Sequence, residues 1–252
     1  MIKKLFNKLR SKKEVKTIGV FYICTGRYNI FWERFYRSAE KYFCPGIKKH
    51  YFIFTDQEIN PAGPDVTIVH QDKLGWPYDT LMRFHMFNGV REQAMQFDYL
   101  YFFNANMVFL SKVKPKQILP EGEDKLVGTL HPFFYGGTEG APYETNKESA
   151  AYVNHEEARH YVAGGLSGGL AADYLSMSAE IAANIDKDQS KGIIAIWHDE
   201  SHINAYFSKL KQYKILNPGY IVPEKRLKNF PFKPYLVVLD KVFAGGHELL
   251  RG

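Results

Sequence analysis

The sequence predicts an α/β fold, and three observations support that class. Short apolar runs with the composition of buried strands alternate with segments of helical periodicity through residues 17–110. The most aromatic run, Tyr99 to Phe103, leads into Asn104-Ala105-Asn106 and is typical of a central strand. The composition, 45% hydrophobic and 15% aromatic, is sufficient for a sizeable core and argues against disorder.

Charge and cysteine content exclude several classes of protein. The net charge of +6 suits a phosphate-bearing ligand or an anionic membrane surface, and the absence of a nucleic-acid-binding motif argues against a nucleic-acid partner. Cys24 and Cys44 form neither a disulfide framework nor a metal-binding pattern, so a reducing compartment is expected. Neither a transmembrane stretch nor the apolar part of a signal peptide is visible, which predicts a cytoplasmic protein.

The chain is predicted to consist of a basic N-terminal segment, residues 1–16, and a single domain over residues 17–252. Four apolar residues between Ile2 and Leu9 are spaced as on one face of a helix. This spacing favours an amphipathic helix lying on the inner face of the membrane, as a peripheral contact. A solvated tail explains the same residues equally well.

The first half of the chain alternates strands with helices. The patterns predict strands at 17–24, 50–55 and 66–70, and helices at 30–43 and 79–96. In an open α/β sheet, ligands bind beyond the carboxyl ends of the strands. If the chain stays extended, Asn104 and Asn106 lie on the same side at such an end. Alternatively the tripeptide is only a turn, and this simpler interpretation is favoured by the residues alone.

The second half is less regular. The patterns predict a strand at 126–130, a long loop at 134–150, a glycine-rich junction at 161–169, a helix at 170–186, a strand at 193–197 and a helix from 199 to about 210. The glycines of the junction let a backbone approach a ligand, although a structural junction is equally compatible with them. Asp199 and Glu200 follow Trp197 in an aromatic and acidic setting suited to a sugar, whereas helix capping is the simpler role for Asp199. His131 precedes Pro132 and is also explained as a turn histidine.

Several of these segments together resemble one known family. They read F-T-D-Q at 54–57, A-E-K-Y-F at 39–43, N-A-N at 104–106, G-T-L-H-P at 128–132, Y-V-A-G-G-L-S-G-G at 161–169 and W-H-D-E-S-H at 197–202. This set resembles glycosyltransferase family 6, which contains the histo-blood-group A and B transferases and the α-1,3-galactosyltransferases. The resemblance runs from about Thr17 to the C-terminus. It implies a GT-A fold, a Rossmann-like mixed sheet flanked by helices.

The resemblance also implies an activity, which is retaining transfer of galactose or GalNAc from a UDP-sugar to form an α-1,3 linkage. The membrane anchor and stem of the vertebrate members are not visible in this sequence. We therefore expect a member of the soluble bacterial branch.

The implied donor-binding residues include Tyr28, which falls where the family stacks an aromatic ring on uracil, and Arg83. Asn104 and Asn106 occupy the two Asp positions of the family's metal-binding D-x-D, so no divalent metal or other cofactor is expected. Arg251 matches the tail segment that orders over the diphosphate, and Lys241 is the nearest candidate for a family lysine. The other implied donor-binding positions are Ile23, Cys24, Thr25, Ala105, Ala163, Gly164 and Gly165.

The implied acceptor contacts are His131, Trp197, Asp199 and Glu200, and Glu200 also matches the nucleophile or stabiliser of the transition state. Ala163 is small where the family faces C2 of the donor sugar, which predicts UDP-GalNAc as the donor. The resemblance to the blood-group branch and its bacterial relatives implies a fucosylated galactoside, Fucα1-2Gal, as the acceptor. Two alternatives stay open. One is a UDP-galactose-dependent enzyme, and the other is an inactive protein that binds sugar nucleotides or glycans.

Overall fold

A mixed sheet of seven strands lies at the centre of the part of the chain that the structure describes. The structure is a computed structural model and describes residues 16–251. The strands are β1 (Thr17–Ile23), β2 (Lys48–Thr55), β3 (Val66–His70), β4 (Tyr99–Phe103), β6 (Leu126–Thr129), β7 (Leu166–Leu170) and β8 (Lys214–Leu216). Their spatial order is β3-β2-β1-β4-β7-β6-β8, and β7 runs antiparallel to both of its neighbours.

A smaller sheet of three strands adjoins the first. It consists of β5 (Met107–Phe109), β9 (Val222–Pro223) and β10 (Leu236–Val238), in the order β5-β10-β9. The chain leaves the large sheet after Phe103, turns through Asn104-Ala105-Asn106 and enters the small sheet at Met107. The Met107 N–H donates to the Asn104 carbonyl oxygen at 3.1 Å, which closes the turn. The chain therefore does not stay extended through Asn104-Ala105-Asn106, and the turn that the residues alone favoured is the conformation observed.

Helices cover both faces of the large sheet. They are α1 (Trp32–Tyr42), α2 (Tyr78–Leu81), α3 (Arg83–Gly89), α4 (Arg91–Ala94), α5 (Pro115–Ile118), α6 (Ala171–Ser190), α7 (Asp199–Lys209) and α8 (Gly246–Arg251). Short 3₁₀ helices lie at Gly26–Phe31, Pro218–Tyr220, Glu224–Asn229 and Lys241–Ala244. Among residues 16–251, no helix has both the length and the apolar character that crossing a membrane requires.

The packing of β1 shows why both faces are covered. Successive strand residues point to opposite faces, and Phe21 and Tyr22 are both completely buried. The Phe21 ring stacks on Phe87 of α3, with 4.4 Å between ring centroids. The Tyr22 ring stacks on Phe35 of α1 on the other side, at 4.6 Å. A strand buried on both faces is characteristic of α/β folds, so the predicted fold class is confirmed.

Two predicted elements differ in the structure. The helix expected at 79–96 is three short helices, because the backbone leaves helical geometry at Met82 and Val90. The strand expected at 193–197 does not form. Ile194 and Ile196 are largely exposed, and the Ile196 N–H donates to the Glu144 carboxylate instead of to a neighbouring strand. The amphipathic helix considered for residues 1–16 falls, except for Lys16, outside the described residues.

Candidate active site

A cavity of about 260 Å³ opens beyond the carboxyl ends of β1 and β4. This is the place where an α/β sheet is expected to bind a ligand. Eight of the residues predicted to bind the donor line the cavity: Ile23, Thr25, Tyr28, Arg83, Asn104, Ala105, Asn106 and Lys241. The structure thus brings together residues from four distant parts of the sequence.

One end of the cavity is formed by Tyr28 and Lys241. Tyr28 lies in the 3₁₀ helix that follows β1, which begins at Gly26 with a positive φ of 55°. The Gly26 N–H donates to the Asp56 carboxylate at 2.6 Å, which ties the loop to the end of β2. The Lys241 ammonium lies 5.1 Å from the centre of the Tyr28 ring. An aromatic ring and a cation therefore share this end of the cavity.

The Asn-Ala-Asn turn lines the cavity floor. Asn106 is 4% exposed, and its side-chain Nδ2 donates to the Leu239 carbonyl oxygen at 2.7 Å. The Leu239 N–H donates back to the Asn106 carbonyl oxygen at 2.8 Å. Within residues 16–251 there is also no group of three or more His, Cys, Asp or Glu side chains that could hold a metal ion. Neutral amides, one of them already engaged as a donor, do not suit a hard divalent cation.

The paired glycines allow a close approach between β7 and the residues around the cavity. A Cβ atom on Gly164 would lie 3.2 Å from Arg83 Nη2 and from Glu200 Oε2. A Cβ atom on Gly165 would lie 3.0 Å from Asn104 Nδ2, while the Gly165 carbonyl oxygen accepts from the Asn104 N–H at 2.9 Å. The glycines are therefore required by packing, whether or not they also contact a ligand.

Four predicted donor-binding residues do not line the cavity: Cys24, Ala163, Gly164 and Gly165. Cys24 is completely buried, and burial raises the pKa of its thiol to about 12. Ala163 is 2% exposed and its N–H donates to the Thr129 carbonyl oxygen at 2.8 Å. Arg251 ends α8, and its side chain lies outside the described part of the chain.

Glu200 is held by two hydrogen bonds at the start of α7. Its Oε2 accepts from the Gly164 N–H at 2.6 Å, and its Oε1 accepts from the Tyr161 hydroxyl at 2.9 Å. Burial raises the pKa of the Glu200 carboxyl, and the two hydrogen bonds lower it again in part. The result is a carboxylate of fixed orientation beside the glycine junction.

Arg83 connects this carboxylate to the cavity. Its guanidinium donates from Nη1 to the Gly164 carbonyl oxygen at 2.8 Å, and its Nη2 pairs with the Asp199 carboxylate. Arg83 is 3% exposed and Asp199 1% exposed, so this is a buried ion pair. Burial raises the pKa of Asp199 to about 7, although the Arg83 guanidinium lowers it. Asp199, predicted to contact the acceptor, therefore uses its carboxylate to hold Arg83.

The remaining acceptor candidates lie around this cluster. Trp197 is 48% exposed at the start of α7. The His131 ring contacts Tyr161, with 5.6 Å between ring centroids, and burial lowers its pKa to about 4. The neutral ring accepts at Nδ1 from the Phe133 N–H, so its proton is on Nε2. His131 can thus act as a hydrogen-bond donor to a hydroxyl group.

Several residues that belong to the site have no role predicted from the sequence. Four of them line the cavity: Lys73, Trp76, Asp79 and Thr80. The Trp76-Pro77 pair before the helical segment was their only visible signal. Tyr161 was also missed, because its hydrogen bond to Glu200 joins residues 39 positions apart and leaves no local pattern.

Comparison with known proteins identifies the family. The family model described as glycosyltransferase family 6 matches residues 2–236. The chain is 31% identical over 227 residues to the O-antigen biosynthesis glycosyltransferase WbnI of Escherichia coli, covering 89% of this chain and 94% of that protein. It is 32% identical over 226 residues to the histo-blood group ABO system transferase 1 of Rattus norvegicus, covering 86% of this chain and 64% of that protein.

A third relative extends the range of the family. The chain is 30% identical over 220 residues to the globoside alpha-1,3-N-acetylgalactosaminyltransferase 1 of Homo sapiens, covering 83% of this chain and 62% of that protein. It therefore spans less than two thirds of the length of these two mammalian relatives. The matches and the mixed sheet flanked by helices agree with the predicted resemblance, and the chain belongs to glycosyltransferase family 6 as a glycosyltransferase with a GT-A-like α/β fold.

Proposed function

We propose that this glycosyltransferase moves GalNAc from UDP-GalNAc, with retention, to form an α-1,3 linkage to the galactose of a Fucα1-2Gal acceptor, without a divalent metal. The observation that supports it most directly is the cluster of Glu200, Arg83 and Gly164 at the edge of the cavity. The name of the globoside relative, an alpha-1,3-N-acetylgalactosaminyltransferase, is consistent with this donor and linkage.

In the proposed reaction, Glu200, Tyr28, Arg83 and Lys241 each have a defined role. Retention is possible by two routes: a carboxylate nucleophile with a covalent intermediate, or front-side attack helped by the leaving group, in which a nearby carboxylate can stabilise the oxocarbenium-like state. Glu200 is proposed for this role, oriented by Tyr161 and the Gly164 N–H. Tyr28 would stack on the base, and Arg83 and Lys241 would offset the charge of the leaving diphosphate.

Two other functions make different predictions. A UDP-galactose-dependent enzyme would have the same residues and differ only in donor preference. An inactive binding protein would bind UDP-sugars without turnover, and the replacement of the metal carboxylates by Asn104 and Asn106 is the feature that favours it. A screen of both donors against fucosylated and plain galactosides, with purified protein in chelator, separates all three.

Transfer is expected to continue in EDTA at the rate measured with added manganese. The amide side chains at Asn104 and Asn106 are poor ligands for hard cations, so positive charge must come from the protein. Initial rates with and without chelator, at saturating donor, measure this directly. A rate that disappears in EDTA and returns with manganese would contradict the prediction.

The acceptor is expected to be 2′-fucosyllactose in preference to lactose. This expectation rests on the resemblance to the blood-group transferases and on no measured contact. Comparing kcat/KM for the two acceptors under the same conditions is the test. Equal values would show that the fucose is not recognised.

UDP-GalNAc is expected to have a higher kcat/KM than UDP-galactose, and Ala163→Met is expected to reduce that preference. The reason is the small size of Ala163 at the position that, by resemblance, faces C2 of the donor sugar, and the discrimination from one acetamido group is about 1–3 kcal/mol at most. Because Ala163 is 2% exposed, the larger side chain will also cost stability, on the order of 1–3 kcal/mol.

Within one variant, kcat/KM for UDP-GalNAc is divided by kcat/KM for UDP-galactose. Because both values scale with the amount of folded protein, a loss of folded protein does not change this ratio. Ala94→Met is the matched control, since Ala94 is completely buried in α4 and does not line the cavity. The control should leave the ratio unchanged. An unchanged ratio in Ala163→Met as well would show that this position does not face the donor sugar.

A further inference from the structure

Two exposed aromatic rings lie on the short loop that follows His131. Phe133 is 59% exposed and Tyr135 is 41% exposed. Neither residue lines the cavity. Exposed large aromatic side chains that are close together often mark a binding surface.

Both rings are supported from a second segment of the chain. The Arg226 guanidinium lies 4.9 Å from the centre of the Phe133 ring. The Tyr135 ring packs edge-on against Phe232, with 5.0 Å between centroids and an interplanar angle of 90°. These four residues are here called the Phe133 surface. Because its rings are braced before any ligand arrives, little conformational entropy is lost on binding.

The Phe133 surface is linked to the catalytic cluster through His131. The His131 ring lies 5.5 Å from Phe133 and 5.6 Å from Tyr161, between ring centroids. Tyr161 in turn donates to Glu200. A molecule that extends from Glu200 past His131 can therefore reach the Phe133 surface.

We infer that the Phe133 surface binds the reducing-end sugars of the acceptor glycan, beyond the terminal galactose and fucose. This rests on the proposed function, because it takes Glu200 and His131 as the acceptor end of the site. The carbon-bound hydrogens of a pyranose form an apolar face that stacks on an aromatic ring, and removing such surfaces from water favours binding.

A membrane surface is the competing occupant, because Lys225 and Arg226 are cationic. Lys225, however, pairs with Asp240 at 2.8 Å, and the Arg226 guanidinium is engaged with Phe133. The charge that an anionic bilayer would attract is thus partly compensated within the protein. Exposed aromatic rings with a nearby guanidinium are better suited to a neutral sugar with hydroxyl groups.

The test compares Fucα1-2Gal with the same disaccharide extended at its reducing end by one and by three sugars. In the wild type, KM should fall with acceptor length while kcat stays nearly constant. Phe133→Ala and Tyr135→Ala should each raise KM for the longest acceptor by about five- to tenfold and leave the disaccharide unaffected. Phe133→Tyr should retain the length dependence, since the ring is kept.

Ile68→Ala is the matched control, because Ile68 is an exposed apolar residue, 50% accessible, on β3. It should not change the length dependence. Titration calorimetry with the same saccharides, in the presence of UDP, provides a readout that does not need turnover. A wild type that binds and uses short and long acceptors equally would overturn the inference, even if transfer to the disaccharide supports the proposed function.

Binding to lipid vesicles distinguishes a glycan from a membrane as the occupant of the Phe133 surface. Sedimentation with phosphatidylglycerol vesicles should be the same for the wild type and Phe133→Ala. If Phe133→Ala loses vesicle binding and keeps the full dependence on acceptor length, the surface contacts membranes, and the inference is wrong. Failure of the proposed function would give a different result. No fucosylated acceptor would then receive a sugar, while calorimetry would still measure saccharide binding.

Discussion

Glu200→Gln is expected to lower turnover by roughly 10²- to 10⁴-fold while leaving the affinity for UDP nearly unchanged. Glutamine has the shape of glutamate, so its oxygen can accept from the Gly164 N–H while its amide donates to the Tyr161 oxygen. What is lost is the negative charge, which would act as the nucleophile of a double displacement or stabilise the positive charge that develops in front-side attack. Turnover at saturating donor and titration of UDP measure the two effects separately.

Glu144→Gln is the matched control for this substitution. Glu144 is also a buried glutamate, and its carboxylate accepts two backbone N–H groups, from Asn146 and Ile196, each at 2.8 Å. It does not line the cavity. Its replacement should cost stability and leave turnover per folded molecule close to the wild-type value. Turnover in Glu200→Gln near that of the wild type would show that Glu200 is not the reacting carboxylate.

The pH dependence gives a second measure of the same group. Burial raises the pKa of Glu200, so acidification protonates it at a higher pH than an ordinary glutamate. Wild-type turnover should therefore fall as the pH drops through this raised pKa. The glutamine variant should lack this acid limb, because its amide does not titrate.

Arg83→Met is expected to lower the free energy of unfolding by about 3–5 kcal/mol, the largest stability effect predicted for this protein. The substitution leaves the Asp199 carboxylate buried without its partner. Methionine keeps much of the packing of the arginine stem against Phe102, whose ring lies 4.5 Å from the guanidinium carbon. The loss therefore comes mainly from the uncompensated charge, and urea unfolding measures it.

The double variant Arg83→Met with Asp199→Asn separates charge from packing. Removing both charges should recover part of the stability lost in Arg83→Met, which is the coupling that a double-mutant cycle detects. If the double variant is no more stable than Arg83→Met, the pair contributes little through its charges.

The same variant should show a pH dependence of defined sign. The pKa of Asp199 is raised in the folded protein, and it rises further when the Arg83 guanidinium, which lowers it, is removed. Below that pKa the folded state binds more protons than the unfolded state, so stability decreases as the pH rises. The destabilisation by Arg83→Met should hence be larger at about pH 8 than at about pH 5.

Local patterns in the sequence predicted much of the sheet. The strand that was predicted wrongly lacks a neighbouring strand, which a local pattern does not show. The strand at 66–70 was predicted with the bounds observed for β3, because its composition and flanking polar residues are local signals. The apolar run at 193–197 has the same local signal and forms no strand. A strand needs a neighbour to pair with, and the pairing partner is not encoded in the segment itself.

In the candidate site too, residues were predicted from the sequence, whereas contacts between distant residues were not. Glu200 was predicted from the motif at 197–202, and Arg83 and Tyr28 were implied by the resemblance. Arg83 and Tyr28 line the cavity, and Glu200 is linked to it through Gly164 and Arg83. The ion pair between Arg83 and Asp199 joins residues far apart in the sequence, and no local pattern indicates it. The sequence suggested a carboxylate that contacts the acceptor, whereas the structure gives Asp199 a buried partner.

The paired hydrogen bonds between Asn106 and Leu239 fix the point from which the C-terminal segment begins. Lys241 follows this anchor by two residues, so its ammonium is tethered close to the cavity that Lys241 lines. Because the cation belongs to the same chain as the cavity, its effective concentration there does not depend on the protein concentration. A short tether thereby keeps a positive charge at the place where a diphosphate would leave, with no requirement for a second molecule to deliver it.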